Sequence, residues 1–281
     1  MSPIGMRPTG MPARGTAVSP EDPIALYAPR LFRAFGWYLR WFFWRNFHAV
    51  RIARDGGLTV AADRPLIIYS NHPSWWDPAL FMLLASTIVA DRRGFGPMEA
   101  EALARYKLFR RLGVYGIDTA SRQGAVRFMV TSLRILSQPG TALWITSEGR
   151  FTDCRTRPTR LRPGLAHLAR RVPGAMIVPL AIEYTFWNER KPEALLRFGS
   201  PIEADGGRSL DIAGWNALLE QRLSETMDDL AGSAISRDPG RFRRLLSGRA
   251  GVGGVYDVGR RMAALAHLRR ARLAHESDED P

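Results

Sequence analysis

A largely parallel α/β sheet flanked by helices is the architecture this chain predicts, and three observations carry the prediction. Apolar runs such as Pro65-Leu66-Ile67-Ile68-Tyr69 read as buried strands, longer amphipathic runs separate them, and the two kinds of segment alternate along the middle of the chain. Alternation of this kind favours parallel pairing, with helices covering both faces of the sheet. At 281 residues the chain can bury one sizeable core of roughly 200 residues and carry extensions besides.

Residues 1–23 contain Pro3, Pro8, Pro12, Pro20 and Pro23 and lack the apolar core of a cleavable signal, so they read as a disordered leader. Residues 24–49 read as a helical segment for a membrane interface. From Leu31 to Phe47 this stretch holds eight aromatic residues beyond Phe32, interrupted by Arg33, Arg40 and Arg45. Three arginines are too many for a comfortable bilayer span. Rings with snorkelling arginines suit a helix lying in the interface, and packing of Trp37, Trp41 and Trp44 on a core is the competing reading.

The domain itself is assigned to residues 50–235. A strand over 65–70 leads into the turn Asn71-His72-Pro73-Ser74-Trp75-Trp76-Asp77, and an apolar helix over 78–90 follows, its start marked by Asp77 and Pro78. Residues 99–112 read as a second helix ending at Gly113, then 114–117 as a short strand. Residues 123–137 are amphipathic, with Val126, Val130, Leu133 and Leu136 in register, and Pro139-Gly140 stops them before a strand over 141–146. A helix over 164–171, a strand over 176–184 and a helix over 215–230 follow. Residues 236–281 read as a basic extension with an acidic tail: 237–272 hold ten arginines, and 276–280 are acidic.

The turn carries the chemistry. A strand ending at an exposed turn presents the His72 imidazole at the sheet edge, and the turn brings Asp77 back against one ring nitrogen. That pairing fixes the tautomer and stabilises the imidazolium, so the other nitrogen can take a proton from a hydroxyl. The same spacing also suits a surface turn whose Asp caps the next helix. Ser74 lies inside the motif, but no Gly-x-Ser-x-Gly elbow surrounds it, which argues against a serine nucleophile.

Further blocks follow in order. Gly113-Val114-Tyr115-Gly116-Ile117-Asp118, Ser147-Glu148-Gly149-Arg150, Arg162-Pro163-Gly164-Leu165-Ala166 and Ile177-Val178-Pro179-Leu180-Ala181 accompany Asn71-His72-x4-Asp77. In these blocks, over about residues 50–205, the chain resembles the glycerolipid acyltransferases of the 1-acylglycerol-3-phosphate or lysophospholipid acyltransferase type. The resemblance implies an O-acyltransferase with His72 as general base and Asp77 as its orienting partner. Fatty acyl groups would come from a thioester, acyl-CoA or acyl carrier protein, as co-substrate with no further cofactor. The acceptor would be a lysophospholipid-like alcohol.

By the same resemblance Glu148 helps to position the acceptor's hydroxyl, and Arg150 holds phosphate, a guanidinium fork matching phosphate oxygens. Gly149 allows close backbone approach. Asn71 belongs to the first block, and Arg122 is the nearest arginine to the second. Two positions depart from the family pattern, Thr119 where an arginine is usual and Phe151 after an arginine placed one position early. Both fall where the family holds phosphate, which leaves open a lyso-lipid with another head group, a glycolipid or an amino-acid lipid.

The net charge of +13 comes from 38 Arg and 2 Lys against 27 acidic residues. Such an excess suits an anionic surface or substrate. No zinc-finger, basic-zipper or aromatic-basic RNA pattern is visible, so nucleic acid is not among the expected partners. One cysteine, Cys154, excludes an internal disulfide framework and any cysteine metal cluster. The expected location is the cytoplasmic face of the cell membrane, peripheral or monotopic. Two other readings share these features, a non-catalytic lipid-binding protein of the same fold and a thioesterase using His72 on water.

Overall fold

A computed structural model describes residues 22–248 apart from 59 and 62; residues 1–21 of the leader, and 249–281 of the basic extension and acidic tail, lie outside the described residues. The described chain opens with helices α1 (Pro23–Leu26) and α2 (Pro29–Asn46) and strand β1 (Ala49–Ala53). Then come β2 (Leu66–Ser70), α3 (Asp77–Thr87), β3 (Arg93–Glu99), α4 (Ala100–Arg105), a 3-10 helix (Lys107–Leu112), β4 (Val114–Ile117) and α5 (Arg122–Leu136). The remainder is β5 (Thr141–Thr146), α6 (Gly164–Ala169), β6 (Met176–Thr185), β7 (Glu193–Phe198), β8 (Ile202–Glu203), α7 (Ile212–Ile235), a 3-10 turn and β9 (Phe242–Ser247).

Among the described residues one mixed, mostly parallel sheet forms in the order β4-β3-β5-β2-β6-β7-β1-β9, with β8 beside β6. The strands from β4 to β6 all run parallel, which turns their C-terminal ends toward one edge. The antiparallel contacts are confined to β6 with β7, β6 with β8 and β1 with β9. β2 sits in the middle and is buried along its whole length. Its side chains alternate between two cores, as a period of two requires. Leu66 and Ile68 face a core shared with α2 and α3, while Ile67 and Tyr69 face one shared with α5, α6 and α7.

The sheet recruits strands that the sequence pattern hid. Residues 99–112 do not form one helix. Glu99 ends β3, α4 stops at Arg105, and Tyr106 (φ −117°, ψ 59°) turns the chain into a 3-10 helix. Gly94, Gly96 and Pro97 obscured β3, and Gly96 is there for a reason: a Cβ would lie 2.9 Å from the Trp144 carbonyl oxygen. β9 comes from residues assigned to the basic extension and pairs with β1 along the sheet edge. β1 in turn is tied to β7 by a buried ion pair, Arg51 Nε to Glu193 Oε2 at 2.9 Å. Removing one partner of such a pair costs about 3–5 kcal/mol.

α2 divides its residues between core and solvent. Phe32, Gly36, Leu39 and Phe43 recur at helical spacing and are buried, and a Cβ on Gly36 would meet Ser86 of α3 at 3.1 Å. Trp37, at 76 % exposure, Tyr38 and Trp41 stand on the other side with Arg33, Arg40 and Arg45. No described helix is long and apolar enough to cross a membrane.

Candidate active site

Two neighbouring parallel strands deliver the site. β2 and β5 are in register, Ser70 opposite Thr146, so residues 71–77 and 147–152 leave the sheet side by side. Asn71 anchors the first turn. Its side-chain amide donates to the Ile182 carbonyl and its carbonyl accepts from the Ile182 amide, both at 2.9 Å, so both polar ends clamp β6. Asn71 is buried and does not line the cavity described below.

Two residues on, the His72 Nδ1 lies 2.6 Å from Asp77 Oδ2. A carboxylate accepts, so Nδ1 carries the proton and Nε2 is left for chemistry. Asp77 is fully buried at the first turn of α3, where a helix N-terminus favours negative charge. The Ser74 amide donates to Oδ2 at 3.2 Å and the Tyr184 hydroxyl to Oδ1 at 2.8 Å. Asp77 thus does not cap α3 with a free side chain; it spends its carboxylate on the turn, the imidazole and β6.

Glu148 reaches the same histidine from the other turn. Its Oε2 accepts from the His72 main-chain amide at 3.0 Å, and it is 8 % exposed. Burial pushes its carboxyl up, against the His72 amide, the His72 and Arg150 charges and the Thr152 hydroxyl. Glu148 is not among the residues that line the cavity, while its neighbours Ser147, Gly149 and Arg150 are. The Thr152 amide donates to the His72 carbonyl at 3.0 Å, so the second turn holds both main-chain groups of His72.

Gly149 adopts φ +66°, and a Cβ there would lie 2.3 Å from Arg162 Nε. The left-handed conformation calls for a glycine, and its bare Cα lets the Arg162 side chain lie against it. Arg162 crosses at that point and donates from Nη1 to the Thr119 carbonyl at 2.7 Å. Arg150 and Arg162 are both exposed and line the cavity mouth; Arg122 is exposed on the first turn of α5 and does not line it. Phe151 stands 4.3 Å from the imidazole, ring centre to ring centre, with 63 % of it exposed.

The cavity has a volume of about 670 Å³, within the range of small-molecule sites. His72, Ser147, Arg150 and Arg162 line it together with Glu99, Asp118, Thr119 and Ser121, and Phe32 of α2, Phe81 and Met82 of α3 and Phe128 of α5 are among its apolar walls. Such a mixed lining suits an apolar chain that carries a polar group. Among the described residues no cluster of His, Cys, Asp or Glu could hold a metal ion.

Sequence reasoning missed three residues at this site. Arg162 sat in a recognised block without a role, Phe151 was noted only as a departure, and Tyr184 ended a strand with no signal of its own. Only the fold, by extending β6 past the end of β2, sets Tyr184 against Asp77.

Residues 51–183 match the model of a protein family described as Acyltransferase. No curated protein matches the chain.

Proposed function

Since the chain belongs to the acyltransferase family, which includes the glycerolipid acyltransferases, we propose that it moves a fatty acyl group from an acyl thioester, acyl-CoA or acyl carrier protein, to the hydroxyl of a lysophospholipid-like acceptor. The observation that carries this reading is the 2.6 Å contact of a fully buried Asp77 with His72, which lines a largely apolar cavity.

In this reading Nε2 takes the proton of the acceptor hydroxyl while its oxygen attacks the thioester carbonyl carbon. The carbonyl π electrons move to oxygen and return as the carbon–sulfur bond breaks, and the departing thiolate takes the proton back from Nε2. Asp77 stabilises the imidazolium between these steps. No covalent intermediate on the protein is needed. Arg150 and Arg162 supply the positive charge for an anionic head group or for the donor's phosphates.

Purified full-length protein incubated with labelled acyl-CoA and a panel of lyso-lipids tests the reaction. Labelled diacyl product is expected with the wild type, and a loss of about 10³-fold or more in His72→Ala with the fold intact. Free fatty acid as the sole product would favour a thioesterase, and no product with either protein would favour a lipid-binding role.

The acceptor and product of this reaction are membrane lipids, and with a water-borne thioester donor the protein is placed at the cytoplasmic membrane surface, where the exposed face of α2 supports the membrane contact. Trp37, Tyr38 and Trp41 are ring-bearing and exposed, and Arg45 lies 5.8 Å over the Trp41 ring. Aromatic rings flanked by arginines bind at the headgroup level. The double variant Trp37→Ser/Trp41→Ser is expected to lower sedimentation with anionic liposomes about tenfold, two interfacial rings being worth at least 1.4 kcal/mol together. Unchanged sedimentation would remove α2 from the membrane contact.

A further inference from the structure

The Asp77 carboxylate is contacted from two elements, the turn that carries His72 and strand β6, and the second has no part in the mechanism above. β6 pairs with β2 only as far as Leu180 opposite Ser70, and then runs on to Thr185. The Asn71 clamp on Ile182 holds this overhang against the turn that carries His72. Tyr184, two residues further on the same face of the strand, therefore meets Asp77 from the side opposite the imidazole. Its hydroxyl donates to Oδ1 at 2.8 Å, while His72 and the Ser74 amide occupy Oδ2. The Tyr184 ring is packed at 5.8 Å from Phe47, and Phe47 stands edge-on to Trp76 at 4.8 Å.

We propose that Tyr184 is a positioning residue for the general base, holding the Asp77 carboxylate in the plane that aims Oδ2 at the His72 Nδ1 proton. This rests on the acyl-transfer reading of the same site.

A carboxylate with one oxygen bonded and the other unpaired can rotate about its carbon–carbon bond; one bonded at both oxygens cannot without breaking a hydrogen bond. In a fully buried site water is not at hand to replace the lost donor. Tyr184 suits this task because it cannot follow the proton. Burial first, and then the charge of Asp77, raise its phenol well above the usual range, so it stays a donor wherever the enzyme works. A threonine or serine at this point of β6 would not reach across to α3, whereas the tyrosine ring spans the gap and packs on the way. The other charged groups near the dyad, Glu148 and Arg150, come from the turn after β5 and are untouched by a change at Tyr184.

Tyr184→Phe in the full-length chain removes the hydroxyl and keeps the ring against Phe47. Transfer from labelled acyl-CoA is expected to lose about 10- to 100-fold in kcat, the loss implied by one unpaired buried oxygen. KM for donor and acceptor should stay within about twofold, since Tyr184 touches neither. A second measurement does not depend on turnover: the downfield proton resonance of His72 Nδ1–H, assigned by its loss in His72→Ala, should shift in Tyr184→Phe. An unchanged resonance with unchanged kcat overturns the proposal. So does a fall in kcat accompanied by a rise in both KM values and a lower Tm, which would make Tyr184 a packing residue only. If the wild type transfers nothing but the resonance still shifts, the positioning role stands and the acyl-transfer reading falls.

Discussion

The turns that follow β2 and β5 leave the sheet side by side, yet they are built in opposite ways. The first, residues 71–77, is closed: Asn71 clamps β6, and Asp77 accepts from the Ser74 amide and the Tyr184 hydroxyl besides facing the imidazole. The second, residues 147–152, is half open. Glu148 and the Thr152 amide are turned inward to the His72 main chain, while Arg150 and Phe151 face the cavity mouth and solvent. The closed turn fixes the geometry that proton transfer needs, to within the tolerance of one hydrogen bond. The open turn is where a substrate can be told from another, because it offers the Arg150 guanidinium and the Phe151 ring to the cavity mouth.

This division of labour gives the two turns different kinetic signatures. Damage to the closed turn should appear in kcat, as with His72→Ala and Tyr184→Phe. Damage to the open one should appear in KM. Arg150→Ala is the sharpest test, since its guanidinium is exposed at the mouth and removes a charge without leaving a buried gap. Its acceptor KM is expected to rise about tenfold with kcat little changed, which corresponds to about 1.4 kcal/mol of head-group binding. Steady-state kinetics with each substrate varied in turn will check it. A rise in the donor's KM instead would assign Arg150 to the phosphates of the thioester, and a fall in kcat alone would erase the distinction between the turns.

The closed turn was the more legible of the two in the sequence, for a physical reason. Its members are neighbours in the chain: His72 and Asp77 are held together by local geometry, and a short motif can report it. The parallel alignment of 65–70 and 141–146 was also accessible, because both are buried apolar runs, and in the fold it sets Glu148 at the same edge as His72. What Glu148 does there was not accessible. The direction of its side chain depends on tertiary packing, and Oε2 turns to the His72 amide. Arg122 and Arg162 show the same limit. Arg122 is closer in sequence to the second block, but α5 starts at that residue and carries it outward, whereas Arg162 folds back across Gly149. Strands β3, β7 and β9 escaped because glycine, proline or arginine interrupts their apolar pattern, and only pairing with neighbours makes them strands.

The smallest expected effect separates charge from hydrogen bonding in the contact that joins the two turns. Glu148 accepts from the His72 amide, a duty that a neutral carbonyl oxygen performs as well, while its carboxylate is held in a place that burial makes unfavourable. Its folded-state value lies above that of the unfolded chain, so between the two the native state keeps a proton that the unfolded state has released. Stability therefore falls as pH rises through this window, and the cost is fully present above it. Glu148→Gln removes the titration and keeps an acceptor. Its Tm should exceed that of the wild type by about 2–4 °C at pH 8, as about 1 kcal/mol implies for a chain of this size. The gap should close as the pH is lowered through the ordinary carboxylate range, where both side chains are neutral. Thermal denaturation across that range checks the sign. If the wild type is the more stable protein at pH 8, the Arg150 and His72 charges outweigh burial at Glu148, and the two turns are joined by an ionic contact rather than by a hydrogen bond.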